Sequence, residues 1–323
     1  MPPVRSGPGP KATVALLCPG QGSQRVGMAK DLAEAFPEAR AALHAVDEAL
    51  GFSLSAVMSD GPEELLTRTD HAQPALLAHS AAVWAVVGPR LAGTVAGAAG
   101  HSLGEYSAYV AAGSLGLAEA ARLVRRRGEL MHEAGTARPG TMAAVMGLDE
   151  EQVAAACREA SGPDGVAVAA NVNAPDQIVI SGDPRAVERA GDLLKAAGAR
   201  RVIPLKVSGA FHSPLMAPAA ARFGEALDAA ALSAPAFPVV ANASAEPVRD
   251  AETARRLLAA QLTSRVRWVE SVQALAGLAG EGAWFVEMGP GNVLTGLARR
   301  IVAGARTVSL GTAAEVRAYL EAA

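Results

Sequence analysis

The stretch Gly100-His101-Ser102-Leu103-Gly104 constrains the fold of this chain more than any other. It follows an apolar run, residues 94–99, and opens a helix-like run from Glu105 to Ala112. A strand that turns sharply into a helix at Gly-x-Ser-x-Gly is the setting of a nucleophile elbow. The serine has to stand clear of the sheet, so its backbone is held in a strained turn. The glycines remove side chains that would strike neighbouring strands. Ser102 then stands at a helix N-terminus, where unpaired N–H groups and the helix dipole favour negative charge. The N–H of Leu103, the next residue, is placed to donate to an oxyanion. The plainer reading of the same five residues is a turn of small residues before a helix.

A length of 323 residues suffices for one large or two modest domains. Half the residues are hydrophobic and few are aromatic, which points to a helix-rich α/β protein. No apolar run is long and clean enough to span a bilayer, so no membrane partner is expected. A net charge of −3 gives no ground for bulk nucleic-acid binding. Cys18 and Cys157 lie far apart without metal spacing, which fits a reduced, cytoplasmic setting. Residues 1–11 are rich in Pro and Gly and read as a flexible tail rather than a signal peptide.

Residues 12–18 form a short apolar run before Pro19-Gly20-Gln21-Gly22-Ser23-Gln24, as expected of a buried parallel strand ending in a Gly-rich loop. Ligands gather at the carboxyl ends of such strands, so Gln21 is placed to meet one. It also fits a loop residue bonding its own backbone. Helical spacing covers 31–36, 37–50, 62–66 and 75–87, and an amphipathic helix covers 117–134. His44, His71 and His79 read as structural or solvent-facing. Arg125-Arg126-Arg127 cannot all face one way on the later helix, so one arginine can turn inward.

Residues 138–207 carry the pattern β-α-β-β-α-β, which predicts a small inserted ferredoxin-like subdomain. Strands are expected at 141–147, 166–172, 177–181 and 201–207, helices at 150–160 and 184–198, and a hairpin turn at 173–176. The flanking residues 12–137 and 208–323 make the large catalytic subdomain, α/β-hydrolase-like, with a mostly parallel sheet. The cleft between the two is a natural acyl site. Asn173 fits a substrate-binding place on that cleft or a role in the turn. His212 leaves the small subdomain at a strand end, just before a helix started by Pro214.

Several strings match one family in its own order along residues 13–311. They are Pro-Gly-Gln-Gly-Ser-Gln at 19–24, Gly-His-Ser-Leu-Gly-Glu-Tyr-Ser-Ala at 100–108 and Arg127-Gly128. Phe-His-Ser-x-x-Met at 211–216 and Glu-x-Gly-Pro-Gly-x-Val-Leu at 287–294 complete the set. The chain resembles the acyltransferase family that includes malonyl-CoA:acyl carrier protein transacylases and polyketide synthase acyltransferase domains. The resemblance implies a catalytic Ser102–His212 pair and an oxyanion site at Leu103 and Gln21. It also implies that Arg127 grips the carboxylate of the acyl group and that Gln261 lies in the substrate site near His212. Phe211 matches a position that goes with malonyl rather than methylmalonyl use. Gly209 departs from the histidine often found two residues before it in modular domains.

No acidic third member is evident, and His212 comes mid-chain rather than near the end, unlike the α/β-hydrolase order. The resemblance implies that main-chain carbonyls and amide side chains orient the imidazole. It implies malonyl-CoA and acyl carrier protein as partners, no metal or redox cofactor, and a monomer. Arg200, Arg201, Lys206, Arg265, Arg267, Arg299 and Arg300 are candidates for receiving an acidic carrier. The rivals are a discrete trans-acting polyketide acyltransferase of other or broader specificity, a serine acyl-thioester hydrolase and an inactive carrier-binding module. Arg127 speaks against a simple esterase, and the presence of both Ser102 and His212 against an inactive module.

Overall fold

The computed structural model describes residues 12–207 and 209–322, so the segment read as a tail lies outside the described residues. The strands described are β1 (Val14–Cys18), β2 (Val95–Gly100), β3 (Thr141–Met146), β4 (Ala167–Ala174), β5 (Gln177–Gly182), β6 (Arg201–Pro204), β7 (Val239–Val240), β8 (Pro247–Val248), β9 (Trp284–Met288) and β10 (Arg306–Leu310). They form two sheets, ordered β10-β9-β1-β2-β7-β8 and β4-β5-β3-β6. The first is parallel except for the β7–β8 pair. The second is wholly antiparallel.

β1 explains the unbroken apolar run that precedes the Gly-rich loop. It is a central strand with both faces covered, and all five of its residues are buried. Leu16 and Cys18 point into a core shared with the helices Thr69–Leu91 and Gly104–Ala111. Ala15 and Leu17 point into the opposite core, with Trp268, Leu275 and Leu297. The period of two along the strand thus divides its side chains between two layers of helices.

The second sheet, with helices Glu150–Ala160 and Pro184–Ala196, realises the β-α-β-β-α-β order and keeps a core of its own around Val145, Val153, Ile178 and Leu194. Asp149 starts the first of these helices with a capping box, its side chain accepting from the Gln152 N–H. The two sheets are joined where the main chain of Val266 bonds Ala170 and Val172 in β4. Arg265 pairs with Glu150 across the same boundary. At the hairpin tip, Arg300 pairs with Asp176 and donates to Gln177.

Several boundaries differ from the sequence reading. The hairpin turn is only Pro175-Asp176, so Asn173 lies in β4 rather than in the turn. β6 stops at Pro204, and residues 205–207 leave the sheet to line the cleft between the sheets. The strand expected at 238–242 is β7, only two residues long, so Asn242 stands beyond it. The long helix begins at Thr69, six residues before Ala75, and contains Pro74. A proline has no N–H to give to the carbonyl four residues back, and that carbonyl, Asp70, instead accepts from Arg125 Nη1 at 2.8 Å. Helices Leu54–Asp60 and Trp268–Ala279 have no counterpart in the sequence reading.

The elbow is held by close backbone contact. A methyl group on Gly104 would sit 2.0 Å from the Cys18 carbonyl oxygen, and one on Gly100 would meet Gly104 at 1.9 Å. Gly104→Ala is therefore expected to lower stability by more than about 3 kcal/mol in urea unfolding. Gly224→Ala, in a helix with open space around it, should be neutral or stabilising by about 1 kcal/mol. Equal effects of the two would mean that the elbow is not pinned by this contact.

Candidate active site

Ser102 takes φ 51, in the left-handed region that a side chain seldom occupies, between the end of β2 and the helix Gly104–Ala111. Two amides clamp this strained residue. The Ser102 N–H donates to Asn242 Oδ1 at 2.6 Å, and Asn242 Nδ2 donates to the Gly100 carbonyl at 2.7 Å. The Ser102 carbonyl accepts from Gln261 Nε2 at 3.0 Å. Among the described residues, neither the Leu103 N–H nor the Gln21 N–H meets an acceptor.

His212 reaches the serine from the segment that follows the small sheet, also with a left-handed backbone, φ 55. Its Nε2 lies 2.7 Å from Ser102 Oγ. Its Nδ1 lies 3.0 Å from the Gln261 carbonyl and 3.1 Å from the Ser264 carbonyl. Carbonyls only accept, so Nδ1 carries the proton and Nε2 is left as the acceptor facing the serine hydroxyl. Burial, reinforced by the Arg127 charge, holds the imidazole down at a pKa of about 3, so it is neutral at ordinary pH. A neutral imidazole with a free lone pair on the hydroxyl is a base ready to accept a proton.

Arg127 is the arginine of the three that turns inward, and it is 1% exposed. Its partners are neutral groups: Gln73 Oε1 at 2.7 Å, Gln261 Oε1 at 2.8 Å and Ser102 Oγ at 3.2 Å. The Tyr106 ring lies 5.7 Å from the guanidinium carbon. Burial without a bonded counter-charge lowers its pKa from the usual arginine value. An incoming carboxylate would supply that counter-charge in a planar, two-pronged geometry. Arg125 bonds Asp70 and Glu129 instead, and Arg126 stays half-exposed beside Glu129.

These groups face a cleft of about 750 Å³ between the two sheets. Gln21, Ser102, Leu103, Arg127, Phe211 and His212 line one side of it, and Asn173, Met142 and Val179 line the other. Asn173 Oδ1 bonds His101 Nε2 at 2.7 Å, bridging the small sheet to the elbow. Gln21 Oε1 accepts from the Thr69 hydroxyl, which in turn accepts from Gln73. This chain links the Gly-rich loop to the Arg127 cradle.

The structure brings Ser102, His212, Gln21, Leu103, Arg127, Phe211 and Asn173 to one cleft. Gln261 is placed differently from its sequence assignment to substrate binding. It is buried behind Arg127, off the cleft wall, and touches the other site residues rather than the open space. The sequence reading missed Asn242, Glu105 and Gln73 as site residues. Asn242 had one available signal, its place just past an apolar strand that would lie beside the elbow strand. Glu105 is a fully buried acid in a helix otherwise made of small and apolar residues. Gln73 lies in Thr69-Asp70-His71-Ala72-Gln73-Pro74, a string that resembles the family's link into a long helix but names no site role.

A family model described as acyl transferase domain matches residues 15–316. The malonyl CoA-acyl carrier protein transacylase of Bacillus subtilis (strain 168) is 44% identical over 299 residues, covering 92% of this chain and 93% of that protein. The enzyme of the same name from Escherichia coli (strain K12) is 42% identical over 308 residues, 95% of this chain and 98% of that one. Among solved structures, the malonyl-CoA:acyl carrier protein transacylase of Xanthomonas oryzae pv. oryzae superposes with a TM-score of 0.91 at 43% identity, covering 96% and 98% of the two chains. A malonyl-transacylase in complex with its type II polyketide synthase acyl-carrier protein gives 0.90 at 42% identity, covering 96% and 99%. With its elbow, imidazole and buried guanidinium in one cleft, and with likeness along almost its whole length, the chain belongs to the acyl transferase family, beside the malonyl-CoA:acyl carrier protein transacylases.

Proposed function

We propose that the protein transfers a malonyl group from malonyl-CoA to the phosphopantetheine thiol of acyl carrier protein, in the service of fatty acid or polyketide synthesis. The observation that carries this reading is the Arg127 guanidinium, buried among neutral amides within reach of the Ser102 hydroxyl. An acyl group bearing a carboxylate fits that place, and an uncharged one leaves the cation unpaired.

The reaction runs in two halves. His212 Nε2 takes the Ser102 proton as Oγ attacks the thioester carbon. The oxyanion accepts from the Leu103 N–H and from the Gln21 loop, a contribution worth ~3–4 kcal/mol per donor. The tetrahedral intermediate collapses, His212 returns the proton to the departing CoA sulfur, and malonyl-Ser102 remains. The carrier thiol then gives its proton to His212 and attacks the ester carbon. On collapse His212 returns that proton to Oγ, and Ser102 and malonyl carrier protein are released. Each step uses side-chain and main-chain groups of one chain, which supports a cofactor-free reaction and a sufficient monomer. Phe211 lies buried on the cleft wall, where its bulk disfavours a methyl branch; one methylene is worth only ~1–3 kcal/mol, so exclusion is partial.

For the carrier, Arg201 and Lys206 stand out from the other basic candidates. Arg200 and Arg300 both pair with Asp176, Arg265 pairs with Glu150, and Arg267 with Glu270. Arg299 donates to the Thr307 hydroxyl. Arg201 and Lys206 are exposed without a carboxylate partner among the described residues, and Lys206 lines the cleft. That the protein works in a reduced, cytoplasmic setting is part of the same proposal; two free buried cysteines support it.

Ser102→Ala should abolish the malonyl adduct seen by intact mass after mixing with malonyl-CoA, and persistence of the adduct would remove the elbow from the mechanism. Arg127→Ala should lower malonyl transfer by at least about tenfold more than acetyl transfer, because only malonyl brings a carboxylate. Equal losses would mean that Arg127 does not read the acid. With His212 neutral down to a pKa of about 3, the acid limb of kcat/KM for acylation should lie well below pH 6.5. Arg127→Ala removes one cause of the depression and should move that limb upward. A limb at 6.5 that ignores the substitution would contradict the assignment of His212 as base.

A further inference from the structure

Glu105 is fully buried behind the elbow and takes no part in the steps above. Its Oε2 accepts from the Asn242 N–H at 3.0 Å and from Gln261 Nε2 at 2.7 Å. These are the two residues that clamp Ser102. Gln261 Nε2 is shared between Glu105 and the Ser102 carbonyl, which turns Gln261 Oε1 toward Arg127. Rotating that amide by half a turn would set its NH₂ against the guanidinium and its oxygen against Glu105, pairing donor with donor and acceptor with acceptor. The main chain of the same Gln261 holds His212 Nδ1.

We propose that Glu105 is a positioning residue for acyl transfer. Its Oε2 sets the amide orientation of Gln261 and the place of Asn242, and through them the Arg127 guanidinium and the Ser102 turn. The inference rests on the reading that Ser102 carries the acyl group and Arg127 its carboxylate. What the geometry demands of Glu105 is an acceptor rather than a charge. Both hydrogen bonds converge on one oxygen, and Oε1 has no partner among the described residues. Burial also pushes the carboxyl up to about 7, so neutral and ionised forms coexist at ordinary pH, and Oε2 accepts in either.

The test compares Glu105→Met, Glu105→Asp and Glu105→Gln by two readouts on folded protein: the burst rate of CoA release and the malonyl-to-acetyl preference. Met removes the acceptor at similar volume, and Asp withdraws it with little other change. Gln can place its amide oxygen where Oε2 stands. Loss of the acceptor should slow the burst by roughly tenfold or more, because small misplacements of reacting groups are costly. The malonyl preference should fall with it, and Glu105→Gln should restore both toward the unaltered values. If any folded Met or Asp variant keeps the burst rate and the preference, the proposal is overturned. It is also overturned if Gln is as impaired as Met, since charge would then be the requirement. A malonyl adduct on Ser102 of the unaltered protein tests the underlying reading separately.

Discussion

The site depends on the approach of two backbones. The helix that follows the elbow starts so close to the end of β1 that only hydrogen fits between Gly104 and the Cys18 carbonyl. That contact brings the free ends of β1 and β2 side by side, which sets the Gly-rich loop beside Ser102. It also leaves Ser102 in a conformation that a side-chain-bearing residue adopts only when its surroundings impose it. The imposition comes from Asn242 and Gln261, one holding the Ser102 N–H and the other its carbonyl. The orientation of the hydroxyl is therefore a property of the surrounding amides as much as of the turn.

A second theme is how a charge is kept inside without a carboxylate bonded to it. Arg127 is surrounded by acceptor oxygens of two glutamines and an aromatic face. Neutral acceptors take its Nη1 and Nη2 groups, while Nε has no partner among the described residues, and none of them cancels its field, which adds to burial in depressing the basicity of His212. On the proposed reading, a bound carboxylate would lessen that field and so link substrate binding to the basicity of His212 through one guanidinium. His212 meanwhile has two main-chain carbonyls where serine hydrolases place a carboxylate. Carbonyls fix the tautomer without a full negative charge.

Much of this was legible in the sequence. The elbow, the β-α-β-β-α-β order and the pairing of Ser102 with His212 follow from local spacing and from strings whose chemistry is recognisable. That one arginine of three turns inward was legible because adjacent helix positions point in different directions, and the resemblance at Arg127-Gly128 singled out which. Less legible were the features set by tertiary contact. The helix from Thr69 runs through Pro74 because Arg125, far away in the chain, takes the carbonyl that the proline leaves free. Glu105 stands inside the elbow string and Asn242 just past a strand end, but only the folding of distant segments onto the elbow shows what they and Gln73 hold. Gln261 was found by its motif near His212, but a motif marks nearness and does not show which side of an arginine a residue occupies.

The hairpin tip of the small sheet has a consequence for kinetic experiments. Asp176 is shared by Arg200, just before β6, and Arg300 in the helix Val293–Ile301, on the surface and open to water. Added electrolyte screens that tie as it screens attraction between a charged carrier and the rim of the cleft. A rate that falls with ionic strength would then mix two effects, slower encounter and a looser clasp between the halves. Neutralising Asp176 by substitution would leave the first effect in place and remove the second.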